Sequence, residues 1–283
     1  MNPFGSLGVW LGRRLPQELI LSVAADSERL GYDTVWIGGG GEPGVFDLVE
    51  SVLARTDHVT VATGIVNLWV ETPESVTDAW HRLEEAYPGR LYVGLGISHA
   101  RLVEGMNLDY SRPLARTRGF LDALDEQTDP LPPERRLLAA LGPRMLRLAA
   151  ERTLGTHPYL VSVDNTASAR AGVGPDKLVA PELGVVLEPD LAVARAQARE
   201  ALSYYVGLPN YANNWKRAGF TDADLDGGGS DRLVDALIAL GDADAIGERI
   251  AAHRPAGADH VCLQVLNAGT DHATVLRELA TAR

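Results

Sequence analysis

The stretch from Val59 to His99, VTVATGIVNLWVETPESVTDAWHRLEEAYPGRLYVGLGISH, constrains the fold of this chain more than any other. A short apolar run, residues 59–63, ends in Gly64-Ile65-Val66. A helix start follows. Thr72 supplies an N-cap hydroxyl, Pro73 takes the first helical position and Glu74 puts a negative charge in the first turn. Val76, Trp80, Leu83 and Tyr87 recur at three- and four-residue spacing and define one apolar face. Gly89 closes the helix, and Leu91-Tyr92-Val93 opens a second strand that exits through Gly94-Leu95-Gly96-Ile97-Ser98-His99. Strand, helix and strand in this order form one βαβ unit with parallel strands. Both exits are rich in glycine, and ligand sites on such scaffolds sit at the strand exits.

The same alternation runs through the chain. Apolar runs at 7–11, 34–37, 59–63, 91–93, 137–141, 157–161, 184–187 and 260–265 are strand candidates. Helical patterns separate them at 17–30, 45–55, 73–87, 113–125, 143–152, 166–172 and 190–204, with later helices beyond. Eight strands in strict alternation predict an α/β fold closed into a (β/α)8 TIM barrel rather than an open doubly wound sheet. Asp129-Pro130-Leu131-Pro132-Pro133 reads as a stiff connector into the fifth strand. Residues 207–231 read as a polar, glycine-rich excursion between strands 7 and 8, long enough to carry a function. No repeat or boundary interrupts the pattern, so residues 1–283 are expected to form one domain.

Composition removes several classes of function. No apolar stretch approaches the roughly 18 residues of a membrane helix, so no membrane association is expected. Met1-Asn2-Pro3-Phe4-Gly5 lacks the charged and apolar regions of a secretory signal. Cys262 is the lone cysteine, which excludes an internal disulfide and fits a reducing cytoplasm. It lies in an apolar run and reads as a buried strand thiol. The net charge is −12 and Lys177 and Lys216 are the only lysines, so nucleic acid is not an expected partner. The preference for arginine over lysine has its simplest source in GC-rich coding. An anionic ligand would have to be held locally, by backbone amides and a few arginines. The histidines lack metal-ligand spacing and no C-x-x-C, H-E-x-x-H, G-x-S-x-G or Walker A motif occurs, so no metal is expected.

Four local features could carry chemistry. In Gly142-Pro143-Arg144-Met145, proline at a helix start leaves amides and the positive end of the dipole facing outward, a favourable place for an anion. Arg144 opposes that dipole by about 0.3–1 kcal/mol, a penalty a bound phosphate would reverse; otherwise it is a solvated arginine. Gly39-Gly40-Gly41-Glu42-Pro43-Gly44 formally matches the dinucleotide fingerprint G-x-G-x-x-G. It follows the second strand, however, and no strand-end acid succeeds it at the usual interval, which argues against a Rossmann site. His99 is the candidate catalytic residue, able to donate to a cofactor or shuttle a proton, or else a loop histidine satisfied by backbone. Trp10, Trp36 and Trp69 fall at strand exits, where they line either a substrate pocket or the core.

The chain resembles the luciferase-like superfamily of flavin- and deazaflavin-dependent enzymes, most closely the branch that uses coenzyme F420. The resemblance rests on the Thr63-Gly64-Ile65-Val66 exit and the Gly89-Arg90-Leu91 to Gly96 strand. It continues through Ala139-Ala140-Leu141-Gly142-Pro143-Arg144-Met145-Leu146, Thr156-His157-Pro158-Tyr159 and Gly257-Ala258-Asp259-His260-Val261. It implies a luciferase-like TIM barrel acting as an F420-dependent oxidoreductase, with hydride moving between the deazaflavin ring and a small organic substrate. It also implies a non-prolyl cis peptide at Gly64-Ile65 that backs the ring. The cofactor-binding residues it implies are Gly64, Ile65 and Val66; Gly96, Ile97 and Ser98; Leu141, Gly142, Pro143, Arg144 and Met145; and His157, Pro158 and Tyr159. A homodimer is expected. Two alternatives stand beside this reading: an FMN-dependent monooxygenase and a non-catalytic flavin-binding member. The glycine run at 38–41, where the family often places a polar or acidic residue, favours the second alternative.

Overall fold

The computed structural model describes residues 2–266 and 271–281. Eleven strands form one curled, all-parallel sheet. They are β1 (Leu7–Leu11), β2 (Thr34–Ile37), β3 (Thr60–Thr63), β4 (Val66–Asn67), β5 (Leu91–Gly96), β6 (Arg136–Leu138), β7 (Gly155–Thr156), β8 (Leu178–Val179), β9 (Glu182–Leu187), β10 (Ile238–Gly241) and β11 (Val261–Val265). Their order is β10-β9-β11-β1-β2-β3-β5-β6-β7-β8, with β4 on β5. β8 and β9 are separated only by Ala180 and Pro181, so a single run of chain reaches both arms of the curl. Ala180 N donates to Thr156 O at 2.9 Å on one side, and Cys262 N donates to Pro181 O at 2.9 Å on the other. This is an α/β fold consistent with the luciferase-like TIM-barrel family.

The helices between the strands bury their apolar stripes against the outside of the sheet. In Pro73–Ala86 the buried residues are Val76, Thr77, Trp80 and Leu83, the face that the spacing predicts. Thr72 Oγ1 accepts the Ser75 amide at 3.1 Å and Ser75 reciprocates, completing a capping box. Inside the curl lies a separate aromatic cluster of Phe4, Trp36 and Tyr92, with Cys262 fully buried beside it. Glycine at the exits has packing reasons. A Cβ on Gly94 would sit 2.1 Å from Thr63 O, and one on Gly96 2.6 Å from Ile65 Cγ1.

The sheet has eleven strands where eight are expected, with the strands Val66–Asn67 and Leu178–Val179 and the helix Ala100–Gly105 outside the sequence reading, and three further elements differ. Residues 157–161 do not form the sixth strand, which is Gly155–Thr156. His157, Pro158, Leu160 and Val161 are buried because they pack, not because they pair, and Leu160 turns the chain at φ 52°. Residues 207–231, expected as a polar excursion, contain the helix Pro209–Arg217, the short helix Asp222–Leu225 and the start of Asp231–Leu237. Tyr211 and Trp215, four residues apart, bury one face of the first of these and anchor the segment. The third is β10, whose short Ile-Ala-Leu-Gly run is indistinguishable by periodicity from helix. No helix among the described residues is long and apolar enough to cross a membrane.

Candidate active site

The strand exits open into one cavity of about 1140 Å³. Its floor is the bulge after β3, where the Gly64-Ile65 peptide is cis. Trp10 at the end of β1 donates its indole N–H to Gly64 O at 3.0 Å, which fixes the indole beside the bulge. The glycine run after β2 follows from this arrangement. A Cβ on Gly38 would lie 2.7 Å from Trp10 Cζ2, and one on Gly39 2.3 Å from Ile65 O. Positions 38 and 39 have no room for an acid or base. Arg13 ties the loop down, donating to the carbonyls of Gly39 at 3.2 Å, Glu42 at 2.6 Å and Pro43 at 2.6 Å. No nucleotide fingerprint operates there.

His157 is buried at the base of the cavity and stacks on Trp36, with ring centroids 4.0 Å apart. Its Nδ1 lies 2.7 Å from Ala180 O, so that nitrogen carries the proton and Nε2 presents a lone pair. Nε2 has no hydrogen-bond partner among the described residues. Burial pulls the imidazole down to about 4, only partly opposed by the Ala180 carbonyl, and keeps the ring neutral. A neutral, oriented and unpartnered acceptor beside the bulge is a feature a ligand donor would satisfy.

His99 caps the helix Ala100–Gly105, with Nδ1 accepting the Leu102 amide at 3.3 Å. Its ring lines the cavity edge-on to Tyr204 at 5.2 Å. Burial first, and Arg101 second, hold its pKa below the ordinary value. Both sequence readings of His99 therefore describe part of what it does: one nitrogen is spent on backbone, and the ring still faces the cavity.

The far wall is aromatic. Tyr159 donates to Gln264 Oε1 at 2.7 Å and lies 3.4 Å, oxygen to oxygen, from Tyr205. Tyr204 and Tyr211 pack against Tyr205 at 5.3 and 5.1 Å. Glu182, fully buried on β9, accepts the Leu160 amide at 3.0 Å and is pushed up to about 8 by burial. Trp215 donates to Leu160 O at 2.9 Å, so both polar groups of that left-handed residue are held. Sequence reasoning missed Glu182, Gln264 and the Tyr204–Tyr211 wall. The adjacent tyrosines at 204 and 205 were the one available signal.

At the mouth the helix Pro143–Arg152 starts at Gly142 with no side-chain cap, and Arg144 projects exposed into the cavity lining. Arg217 joins it, donating to Leu141 O at 3.1 Å. Among the described residues four arginines and no aspartate or glutamate line the cavity, in a chain whose net charge is −12.

Twelve of the sequence-predicted site residues therefore converge here: Trp10, Gly64, Ile65, Ile97, Ser98, His99, Leu141, Gly142, Arg144, Met145, His157 and Tyr159. Val66, Gly96, Pro143 and Pro158 do not line the cavity. Trp36 is corrected: it is fully buried, its indole N–H is spent on His260 Nε2 at 3.0 Å, and it forms core beneath His157. Trp69 is corrected as well, since its N–H goes to Ile97 O at 2.9 Å and the Arg116 guanidinium covers its ring at 4.0 Å.

The chain thus combines a parallel strand–helix fold, a cis-peptide bulge at a strand exit, a neutral buried histidine and a cationic cavity mouth. The luciferase-like monooxygenase model matches residues 15–260, and the chain belongs to that family. It is 27% identical, over 97% of its length and 96% of the relative's, to Rv3520c of Mycobacterium tuberculosis (strain ATCC 25618 / H37Rv), assigned as a coenzyme F420-dependent oxidoreductase. The coenzyme F420-dependent tetrahydromethanopterin reductase of Methanopyrus kandleri has the same fold, at TM-score 0.81 and 16% identity, with 98% of each chain covered. So has the oxygenating constituent of 3,6-diketocamphane monooxygenase of Pseudomonas putida in complex with FMN, at TM-score 0.70 and 16% identity, with 98% of this chain and 96% of that one covered.

Proposed function

We propose that this chain is an F420-dependent oxidoreductase that moves a hydride between the deazaflavin ring and a small organic substrate. The observation that carries the proposal is the carboxylate-free cavity in which an orphaned His157 Nε2 and the Gly64-Ile65 bulge face a cationic mouth. The residues fit a planar, anionic cofactor. The bulge and Trp10 back its ring, and His157 Nε2 accepts from a ring N–H or hydroxyl. Arg144, Arg217 and the uncapped helix start take the phosphate-bearing tail. When bound, F420 supplies the hydride chemistry. The protein orients the two reactants, and its aromatic wall limits access of water. His99 stands at the edge, where its neutral ring donates through Nε2. The F420-dependent relative supports the deazaflavin over FMN.

An FMN monooxygenase is the second reading, favoured by the fold shared with the FMN-bound Pseudomonas putida protein. Titration of the purified chain with F420 and FMN, followed by fluorescence, separates the two. F420 is expected to bind at least about tenfold more tightly, a difference of about 1.4 kcal/mol. Equal or reversed affinities, with oxygen consumed on addition of reduced FMN, would move the assignment to the monooxygenase.

A further inference from the structure

Hydride delivery to a carbonyl carbon leaves an oxyanion that requires a proton, and the groups lining the cavity that could give one are its histidines and tyrosines. No carboxylate lines it among the described residues, and the β2 exit supplies only glycines, Gly38 and Gly39 being closed to side chains by Trp10 and Ile65. His157 carries its proton on Nδ1, fixed on Ala180 O at 2.7 Å, so Nε2, the nitrogen on the side of the bulge, has none to give. His99 sits at the rim against Tyr204, not beside the bulge.

Tyr159 is placed differently. Its ring is 5.7 Å from that of Trp10, whose N–H is on the bulge carbonyl. Its hydroxyl lies between Gln264 Oε1 at 2.7 Å and the Tyr205 hydroxyl at 3.4 Å. The backbone that follows it is pinned at Leu160 by Glu182 and Trp215. Burial keeps the phenol protonated well past the ordinary tyrosine range, and rotation about its C–O bond turns the O–H from Gln264 toward a substrate oxygen.

We propose that Tyr159 is the catalytic proton donor to a ketone or aldehyde substrate, and that Tyr205 reloads it. The proposal rests on the deazaflavin reading above. The carbonyl carbon gains a hydride from the reduced deazaflavin, which is thereby oxidised by two electrons. The π pair of the carbonyl moves onto oxygen, the Tyr159 O–H bond breaks, and its proton completes the alcohol. The phenolate then takes a proton from Tyr205, which recovers one from water at the mouth. Run backwards, the same groups oxidise an alcohol.

The test uses the full chain, F420 and three carbonyl probes: acetone, cyclohexanone and benzaldehyde. In Tyr159→Phe, F420 affinity is expected to stay within about threefold. The melting temperature is expected to stay within about 2 °C. Oxidation of bound reduced F420 by the best probe should fall at least about 100-fold, and in Tyr205→Phe about tenfold. Without cofactor, cyclohexanone affinity measured by ligand-observed NMR should weaken about threefold in Tyr159→Phe, from the lost hydrogen bond. A Tyr159→Phe rate at saturating F420 within about threefold of the unmodified chain overturns the proposal. So does a loss of F420 affinity with the saturated rate retained, which would make Tyr159 a cofactor contact. If F420 binds and none of the probes is reduced, the carbonyl class is wrong. If F420 does not bind, the deazaflavin reading fails and takes this proposal with it.

Discussion

The unfolding free energy of the cofactor-free chain should pass through a maximum just below about pH 7 and fall on both sides. The acid side is set by three buried histidines. Burial depresses His157 and His253 to about 4 and His260 to about 3. Each is neutral in the native state and ordinary, near 6.5, when unfolded. Below that value the unfolded chain binds protons that the native chain refuses. Stability present above pH 6.5 is therefore lost as the pH falls toward 4. The displacements, from 6.5 to about 4 and to about 3, correspond to about 3–5 kcal/mol per group at the extreme, an order-of-magnitude figure.

The alkaline side has the opposite origin. Burial raises Glu182 from 4.5 to about 8. Its contribution is fully present below pH 4.5 and is lost as the pH rises toward 8, because the unfolded carboxyl ionises first. Between pH 5 and 6.5 the three histidines outweigh the one glutamate, so stability still rises; above about pH 7 they are spent and the glutamate decides. Glu182→Gln should flatten the alkaline limb and steepen the rise between about pH 4.5 and 6.5, where the glutamate opposes the histidines, making the variant more stable than the unmodified chain at pH 8 by a few kcal/mol. Denaturant titrations at intervals from pH 4 to 9 check this. A profile that is flat from pH 5 to 8 would show that these groups titrate normally and are wetter than the structure places them.

The backbone frame of the site was legible in the sequence, whereas its far wall was not. The reason is distance along the chain. The Gly64-Ile65 bulge, the Gly94–Gly96 exit and the Gly142-Pro143 helix start each announce themselves within a few residues, because turn and cap chemistry are local. Trp36 shows the limit of that reasoning. It pairs in register with Trp10, and nothing local says that one lines the cavity and the other lies under His157. Tyr159 meets Gln264, 105 positions away, only because β7 and β11 converge through the β8–β9 run. Glu182 reads as a mere polar interruption until Leu160 arrives with a left-handed backbone to be held. The glycine run at 38–41 was recognised as a departure, and its cause is the Trp10 ring and the Ile65 carbonyl filling the space.

Arg144→Ala should weaken binding of the intact cofactor while leaving an analogue truncated before the phosphate almost unaffected. Arg144 is exposed at the cavity mouth, in the first turn of a helix that no side chain caps. A charge-assisted contact from it to a phosphate is worth about 1.5–3 kcal/mol, or roughly ten- to hundredfold in affinity. The same cation sits unfavourably at the positive end of the helix dipole when the site is empty. Its removal should leave the cofactor-free protein equally stable or more so, by about 0.3–1 kcal/mol. Loss of affinity with retained stability is a signature that a packing role cannot produce, since a packing residue lowers both. The loss should also shrink as salt rises, because an exposed guanidinium is screened within about 10 Å at 0.1 M ionic strength. Isothermal titration with intact and truncated cofactor, beside thermal melts of both proteins, reads all of these quantities. Unchanged affinity for the intact cofactor would assign the tail to Arg217 or Arg14 instead, and would leave Arg144 a solvated residue.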